Sequence, residues 1–322
     1  MYKLKFKFLS FTVISGLLLS FSPANAIVNA DRELLKNEAY YTASIELFDG
    51  EEYKTFCSGS LIAPQIILTA AHCIVDYDQE TAQTWVASFN LPTTTYHKDA
   101  RVNIVSAIYH QKYDDSLSTV QINPDGSETV LKEGYTTPGE SEYDADIAIL
   151  LLEFPIYAIT PAKLARSTTK IIKSWRVYGW GATQTEMDEN STPLLRTTQV
   201  NDATSEMSEY LDDPMENMYA AYSTDDQNNV RTTCWGDSGG PLVDGQGILI
   251  GITSFAMVEK CEDIAPTVYT KVASYRSWIY RNIVTIKSRY NRDIAFEKTQ
   301  STNRAPIFYP SFSHQIKVYG KW

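Results

Sequence analysis

Three segments of the chain carry residue types that together can cleave an acyl bond. Near the start, Cys57-Ser58-Gly59-Ser60-Leu61 is followed by Leu68-Thr69-Ala70-Ala71-His72-Cys73; in mid-chain, Asp144-Ala145-Asp146 leads into an apolar run; later comes Cys234-Trp235-Gly236-Asp237-Ser238-Gly239-Gly240-Pro241. Hydrolysis through a serine needs a nucleophile, a base to take its proton, an acid to orient that base and donors for the oxyanion. Ser238, His72 and Asp146 supply the first three in the chain order His, Asp, Ser, with Asp144 as the rival carboxylate. Flanking glycines let the backbone turn sharply, so the Gly236 and Ser238 amides are expected to point at one oxyanion. Each piece has a bland reading alone: a structural or exposed histidine, a buried hydrogen-bonding aspartate, a glycine-rich loop. All of them in this order make coincidence a poor account.

Together the segments resemble the chymotrypsin-like (trypsin-like) serine proteases over roughly residues 27–282. The resemblance implies an all-β fold of two six-stranded antiparallel barrels with the site at their interface, His72 and Asp146 coming from the first and Ser238 from the second. It assigns Ser238 as nucleophile, His72 as general base and then acid, and Asp146 as the orienting carboxylate, preferred over Asp144 because it directly precedes the hydrophobic strand. Ser254, within Ile252-Thr253-Ser254-Phe255-Ala256, matches the serine beside the triad on the substrate-binding strand, and Gly179-Trp180-Gly181 matches a turn near the oxyanion loop. By position Thr232 is the pocket floor and Ala256 and Thr267 are its walls, with Phe255 also on the substrate side. A threonine floor and filled walls imply cleavage after small or medium uncharged side chains, an elastase-like preference; Glu262 or Asp263 near the mouth would instead draw in a basic side chain. The implied disulfides are Cys57–Cys73 and Cys234–Cys261, while Ala220 stands where a further cysteine is expected. The family frees an Ile-Val terminus whose ammonium pairs with the aspartate before the nucleophile; here these are Ile27-Val28 and Asp237, although Asn29-Ala30 replaces the usual Gly-Gly.

The elements that must position these residues are short. Strand-length apolar runs such as Ser60-Leu61-Ile62, Ile66-Ile67-Leu68, residues 147–152 and residues 248–252 alternate with turn signals at Asp49-Gly50, Ala63-Pro64, Asp125-Gly126, Pro138-Gly139 and Asp244-Gly245. This pattern independently points to barrels or sandwiches. The exception spans 272–287, where Val272, Tyr275, Ile279 and Ile283 share one helical face. Residues 153–165, with Pro155 and Pro161, are the expected seam between barrels of roughly 27–155 and 156–272; 120–144 reads as a long surface loop over the site; and 283–322 is the end of the helix and a basic tail, read as a strap, a partner-binding segment or disorder.

Residues 1–26 are set apart. Lys3, Lys5 and Lys7, an apolar run over 8–21 and Ala24-Asn25-Ala26 fit a secretory signal peptide, with cleavage before Ile27; the run is short for the alternative, an uncleaved membrane anchor. A secreted protein, extracellular or periplasmic, follows, in a compartment where the four cysteines can pair. The formal charge is −11, which argues against nucleic acid as a partner. Residues 27–282 hold 18 basic and 37 acidic groups, and 283–322 hold seven and two. The acidic surface reads as a solvated face or as a means of selecting basic partners. No cofactor and no metal are expected: neither His-Glu-x-x-His nor paired Cys-x-x-Cys occurs. The calcium loop of some relatives is carboxylate-rich, but 88–101 offers only Asp99. His97, His110 and His314 read as surface or structural, and Asn190-Ser191-Thr192 as a glycosylation sequon for a eukaryotic secretory pathway. Protein or peptide substrates are the expected partners, with protein protease inhibitors as candidates. Two other readings stay open. One is a protease-fold binding protein without catalysis. The other is an esterase whose Gly-x-Ser-x-Gly elbow at Ser238 is completed by Asp263 and His314; Gly239-Gly240-Pro241 is poor material for the helix that elbow needs.

Overall fold

The computed structural model describes residues 27–31, 34, 38–75, 77, 84–89, 101–113, 119–122, 128–132, 145–182, 195–211, 214–256 and 260–301. Residues 1–26, read above as a signal peptide, Asp99, Asp144, His97, His314, the sequon at 190–192 and tail 302–322 lie outside them.

Strands β1 (Thr42–Phe48), β2 (Tyr53–Ala63), β3 (Ile66–Thr69), β4 (Trp85–Phe89) and β5 (Val102–Tyr109) are followed by a separate hairpin, β6 (Thr119–Ile122) with β7 (Glu128–Lys132), and then by β8 (Ala148–Leu152). Strands β1-β2-β3-β8-β5-β4 close a six-stranded antiparallel barrel. Closure leaves no open sheet edge. Cross-strand register puts Ile45, Leu61, Ile67, Ile104, Leu150 and Leu152 on one face, and all are buried, as an aliphatic interior requires. Every residue of β8 is buried because the strand faces the barrel interior on one side and the C-terminal helix on the other, which explains why its sequence is a continuous apolar run rather than an alternating one.

The second barrel follows β9 (Lys163–Leu164). Strands β10 (Trp175–Gly179), β11 (Arg196–Asp202), β12 (Met218–Thr224), β14 (Pro241–Val243), β15 (Ile248–Ala256) and β16 (Thr267–Lys271) form a sheet closed by the β11–β12 pairing, with β13 (Val230–Arg231) beside β12. The fold is therefore mostly β with two closed six-stranded antiparallel barrels, as expected. Helix α1 (Thr204–Leu211), between β11 and β12, was not anticipated: only Met207 is buried along its eight residues, so the apolar period is too sparse to read. Helix α2 (Val272–Ser301) extends well past residue 287. It buries Val272, Tyr275, Trp278, Ile279 and Ile286 across β5 and β8 of the first barrel and β9 and β15 of the second. A change such as Ile279→Ala would cost about 2–5 kcal/mol.

Two further differences concern the loops. The stretch read as a surface loop, 120–144, contains β7 and most of β6; Val120-Gln121-Ile122 and Thr129-Val130-Leu131 are short β-forming runs masked in the sequence by their polar surroundings. Residues Ile27 and Val28, counted with the first barrel, pack against the second, Ile27 among Trp175, Val200 and Leu242.

Candidate active site

Sheet register brings His72 and Asp146 together. In the antiparallel β3–β8 pair Thr69 lies opposite Ala148, so the chain leaving β3 and the chain entering β8 emerge side by side. Ala145, at φ +71°, makes the turn that sets Asp146 ahead of the strand. The Asp146 side chain is 4% exposed and that of His72 33%. Asp146 Oδ2 accepts from His72 Nδ1 at 2.8 Å and from Ser254 Oγ at 2.5 Å, and Oδ1 accepts the His72 backbone N–H at 3.0 Å. Burial alone would push this carboxyl up, but the His72 charge and the donated hydrogen bonds outweigh it and hold Asp146 below the ordinary carboxylate range. On the imidazole, burial works to lower the pKa, and the Asp146 charge and hydrogen bond outweigh that to raise it. With its Nδ1 proton engaged by Asp146, neutral His72 keeps its lone pair on Nε2. Ser254 lies on β15, so the second barrel supplies one donor to a carboxylate of the first.

The loop between β13 and β14 carries Ser238 and runs into a strand, not into the helix that a nucleophile elbow requires. Gly236 at φ +91° and Gly239 at φ +79° bend it. A Cβ on Gly239 would lie 2.0 Å from Thr69 Oγ1 and 2.4 Å from the Ser58 carbonyl, so the loop sits directly on β2 and β3. There the Ser58 amide donates to the Ser238 carbonyl at 2.7 Å. Cys73 Sγ lies 3.7 Å from both that carbonyl and His72 Nε2. Nucleophile and base candidates thus meet at the Cys57–Cys73 disulfide, with Ser238 half-buried. Among the described residues the Ser238 hydroxyl makes no hydrogen bond to the imidazole; catalytic hydrogen bonds of this kind often tighten only when substrate binds. The two bridged sulfurs beside His72 hold no thiolate to offer a metal.

The loop's backbone amides divide into two groups. Cys234 N–H donates to Asp237 Oδ2 at 2.8 Å, Asp237 N–H to the Cys234 carbonyl at 3.0 Å, Gly239 N–H to Thr253 at 2.8 Å and Gly240 N–H to the Asp237 carbonyl at 2.9 Å. Among the described residues the amides of Gly236, Ser238 and exposed Trp235 have no protein partner. Asp237, fully buried, also accepts Gly181 N–H at 2.9 Å. Burial raises its pKa to about 7 against the pull of those two amides. Gly179 has to be glycine here, because a Cβ would lie 1.9 Å from Asp237 Oδ1.

The buried Ile27-Val28 segment docks beside Thr232, Val28 N–H donating to the Thr232 carbonyl at 3.1 Å. Asn29 adopts φ +49° and its Nδ2 donates to the Val230 carbonyl at 2.8 Å, so an asparagine takes the left-handed conformation expected of glycine and adds an anchor. Beyond it, Thr232 Oγ1 and Thr233 Oγ1 lie 2.7 and 3.0 Å from Thr267 Oγ1. Ala256 pairs with Thr267 and Phe255 with Val268 across β15 and β16; Ala256 is exposed and Phe255 half-buried. The Cys234–Cys261 disulfide closes this side, and Glu262 and Asp263 beyond it are exposed. Ala220, standing where the family's further cysteine would be, packs with Met207, Met215, Met218 and Val268. Thr233 and Ser58 escaped the sequence reading; their signal was a hydroxyl beside an already chosen residue, Thr232 and Cys57 respectively.

A model of the family described as Trypsin matches residues 30–279. Human kallikrein-2 is 31% identical, covering 69% of this chain and 78% of its own. Rat chymotrypsin-like elastase family member 1 is 27% identical over 84% of this chain and 97% of its own, and a collagenase of Hypoderma lineatum 28% identical over 75% and 82%. Mouse neuropsin, a serine protease of the limbic system, superposes with a TM-score of 0.58 at 26% identity, covering 80% of this chain and all of its own. With that match spanning both barrels and the site between them, the chain belongs to the trypsin family of serine endopeptidases.

Proposed function

We propose that the protein is a secreted endopeptidase that cleaves after small or medium uncharged residues through a Ser238–His72–Asp146 triad. Ser238 Oγ attacks the scissile carbonyl while His72 Nε2 takes its proton. The oxyanion forms against the Gly236 and Ser238 amides; as it collapses His72 protonates the departing amine, leaving an acyl-enzyme. Water, deprotonated by the same imidazole, then releases the acid and restores Ser238. The observation that carries this reading is the Asp146–His72 pair at 2.8 Å, its carboxylate buried, facing a loop whose Gly236 and Ser238 amides are unpartnered. Labelling of the wild type by a fluorophosphonate, lost in Ser238→Ala, is the expected result; no labelling would favour a silent binding protein.

The pocket preference rests on the joined hydroxyls of Thr232, Thr233 and Thr267. They offer no charge to pair with a lysine or arginine, whose burial unpaired is strongly unfavourable. Cleavage-site profiling on a peptide library tests this, and a basic preference would refute it. Activation follows from the terminus. Signal cleavage after Ala26 would free the Ile27 ammonium to pair with Asp237, with no propeptide. It would also remove the constraint on Ile27, which sits at φ +65°, a torsion that β-branched residues avoid. Amino-terminal sequencing of active secreted enzyme should begin at Ile27. Secretion is supported by the two disulfides, and among the described residues no helix is long and apolar enough to cross a membrane.

A further inference from the structure

We infer that Ser58 is a positioning residue that holds the oxyanion loop in its working shape, a role that rests on the reading of Gly236 and Ser238 as oxyanion donors. Three consecutive peptide planes determine where those two amides point. In the first, the Trp235 carbonyl accepts Ala182 N–H at 2.7 Å, which turns Gly236 N–H to the opposite side. In the third, the Asp237 carbonyl accepts Gly240 N–H at 2.9 Å, which does the same for Ser238 N–H. The middle plane joins them, and its carbonyl, Gly236 C=O, accepts from the Ser58 hydroxyl at 2.8 Å. The carbonyls of both outer planes are pinned by backbone donors that any residue supplies; the middle plane is held at one end by Asp237 N–H on the Cys234 carbonyl at 3.0 Å, and its carbonyl end is held by a side chain.

The pin is itself fixed. Ser58 is 0% exposed on β2, its hydroxyl accepts Trp180 N–H at 3.3 Å, its amide donates to the Ser238 carbonyl at 2.7 Å and its own carbonyl accepts Thr69 Oγ1 at 2.8 Å. The hydroxyl therefore relays a hydrogen bond from the Gly179-Trp180-Gly181 turn to the nucleophile loop, across the boundary between the barrels. Gly236, at φ +91°, lacks the steric restraint a side chain would provide. Without the Ser58 donor its half-buried carbonyl loses that partner, and the plane, held only through the Asp237 N–H, can tilt in search of another. Rotation there swings the amides on either side. The oxyanion develops only after attack, so misdirected amides slow the chemical step and leave ground-state binding intact.

The test compares wild type with Ser58→Ala, which keeps the Cβ contact, and with Ser58→Gly, which keeps only the backbone bonds. Both are expected to lower kcat about tenfold, below the loss from deleting a donor outright, with KM within about twofold. A peptidyl trifluoromethyl ketone, whose adduct on Ser238 carries the oxyanion, should bind about tenfold more weakly, while the matching unreactive peptide amide binds equally well. The two variants guard against a single folding defect, and unchanged thermal midpoints confirm intact protein. Variants with kcat and ketone affinity within twofold of wild type would overturn the role, as would equal weakening of the amide. Fluorophosphonate labelling of the wild type separates these outcomes from failure of the catalytic reading itself.

Discussion

In the loop from Cys234 to Gly240, among the described residues the amides of Gly236 and Ser238, with that of exposed Trp235, lack protein partners, while those of Cys234, Asp237, Gly239 and Gly240 are tied down. At the start of the same segment Thr232 and Thr233 satisfy their hydroxyls against Thr267, out of solvent. Unsatisfied donors in a partly buried place are unfavourable in the resting protein. They become valuable only where negative charge arises, and a rigid backbone needs no reorganisation when it does. Satisfied hydroxyls do the opposite: in the proposed pocket they leave a neutral floor that neither repels apolar groups nor offsets a cation. On the proposed reading, two adjoining stretches divide the work between chemistry and selection according to whether their hydrogen bonds are left open or closed.

The largest effect should come from the open side. His72→Ala is expected to reduce kcat on a peptide anilide by on the order of 10⁴-fold or more, with little change in melting temperature because the ring is a third exposed.

Next, the loop's seat can be broken without touching a reacting group. Gly239→Ala forces a Cβ to 2.0 Å from Thr69 Oγ1 at φ +79°. It should cost about 3 kcal/mol or more in denaturant titration, with activity falling in parallel. Gly247→Ala, at φ +73° with nothing within 4 Å, should cost only about 1 kcal/mol and leave activity unchanged. Equal losses from the two would mean that torsion alone, and not the close approach to β2 and β3, holds the loop.

Asp237 gives a pH test. Burial raises its folded pKa to about 7 from the ordinary 3.8 of a solvated carboxyl in the unfolded chain, so in a chain still extended before Ile27 the folded state binds the extra proton. Stability of that precursor should be greatest near pH 4 and fall by a few kcal/mol as pH rises towards 7. A processed chain, with an ammonium at Ile27, should show little of this fall. Parallel pH–stability curves for both forms would remove Asp237 as the partner of the new terminus.

The smallest effects belong to the closed side. Thr232→Val removes one hydroxyl and leaves Thr233 bonded to Thr267, so about 1 kcal/mol of stability is lost and turnover of alanyl and valyl anilides should change less than about threefold. Thr232→Asp places a carboxylate on the floor and should raise the arginyl-to-alanyl ratio about tenfold or more. A wild type that already prefers arginyl anilides would contradict the neutral floor.

Legibility in the sequence tracked locality. The Asp146-Ile147-Ala148 junction and the Gly236–Gly240 run announced themselves because tight turns and barrel strands demand specific residue types at fixed offsets. Apolar runs and turn signals made a barrel or sandwich readable, the resemblance to the protease family made it two barrels, and the helical face gave the start of α2. Helix α1 and hairpin β6–β7 were not, since neither displays a sustained apolar period.

By itself, then, the sequence determined the residue types, their order and the strand-and-turn punctuation that a two-barrel protease requires. Tertiary structure alone decided which hydroxyl meets which carbonyl. Ser58 and Gly236 are 178 residues apart, Thr233 and Thr267 34, and Ser254 and Asp146 108. No local pattern encodes such pairs, because a hydrogen bond depends on distance and direction in space, and those are set only when both barrels have closed and packed against each other.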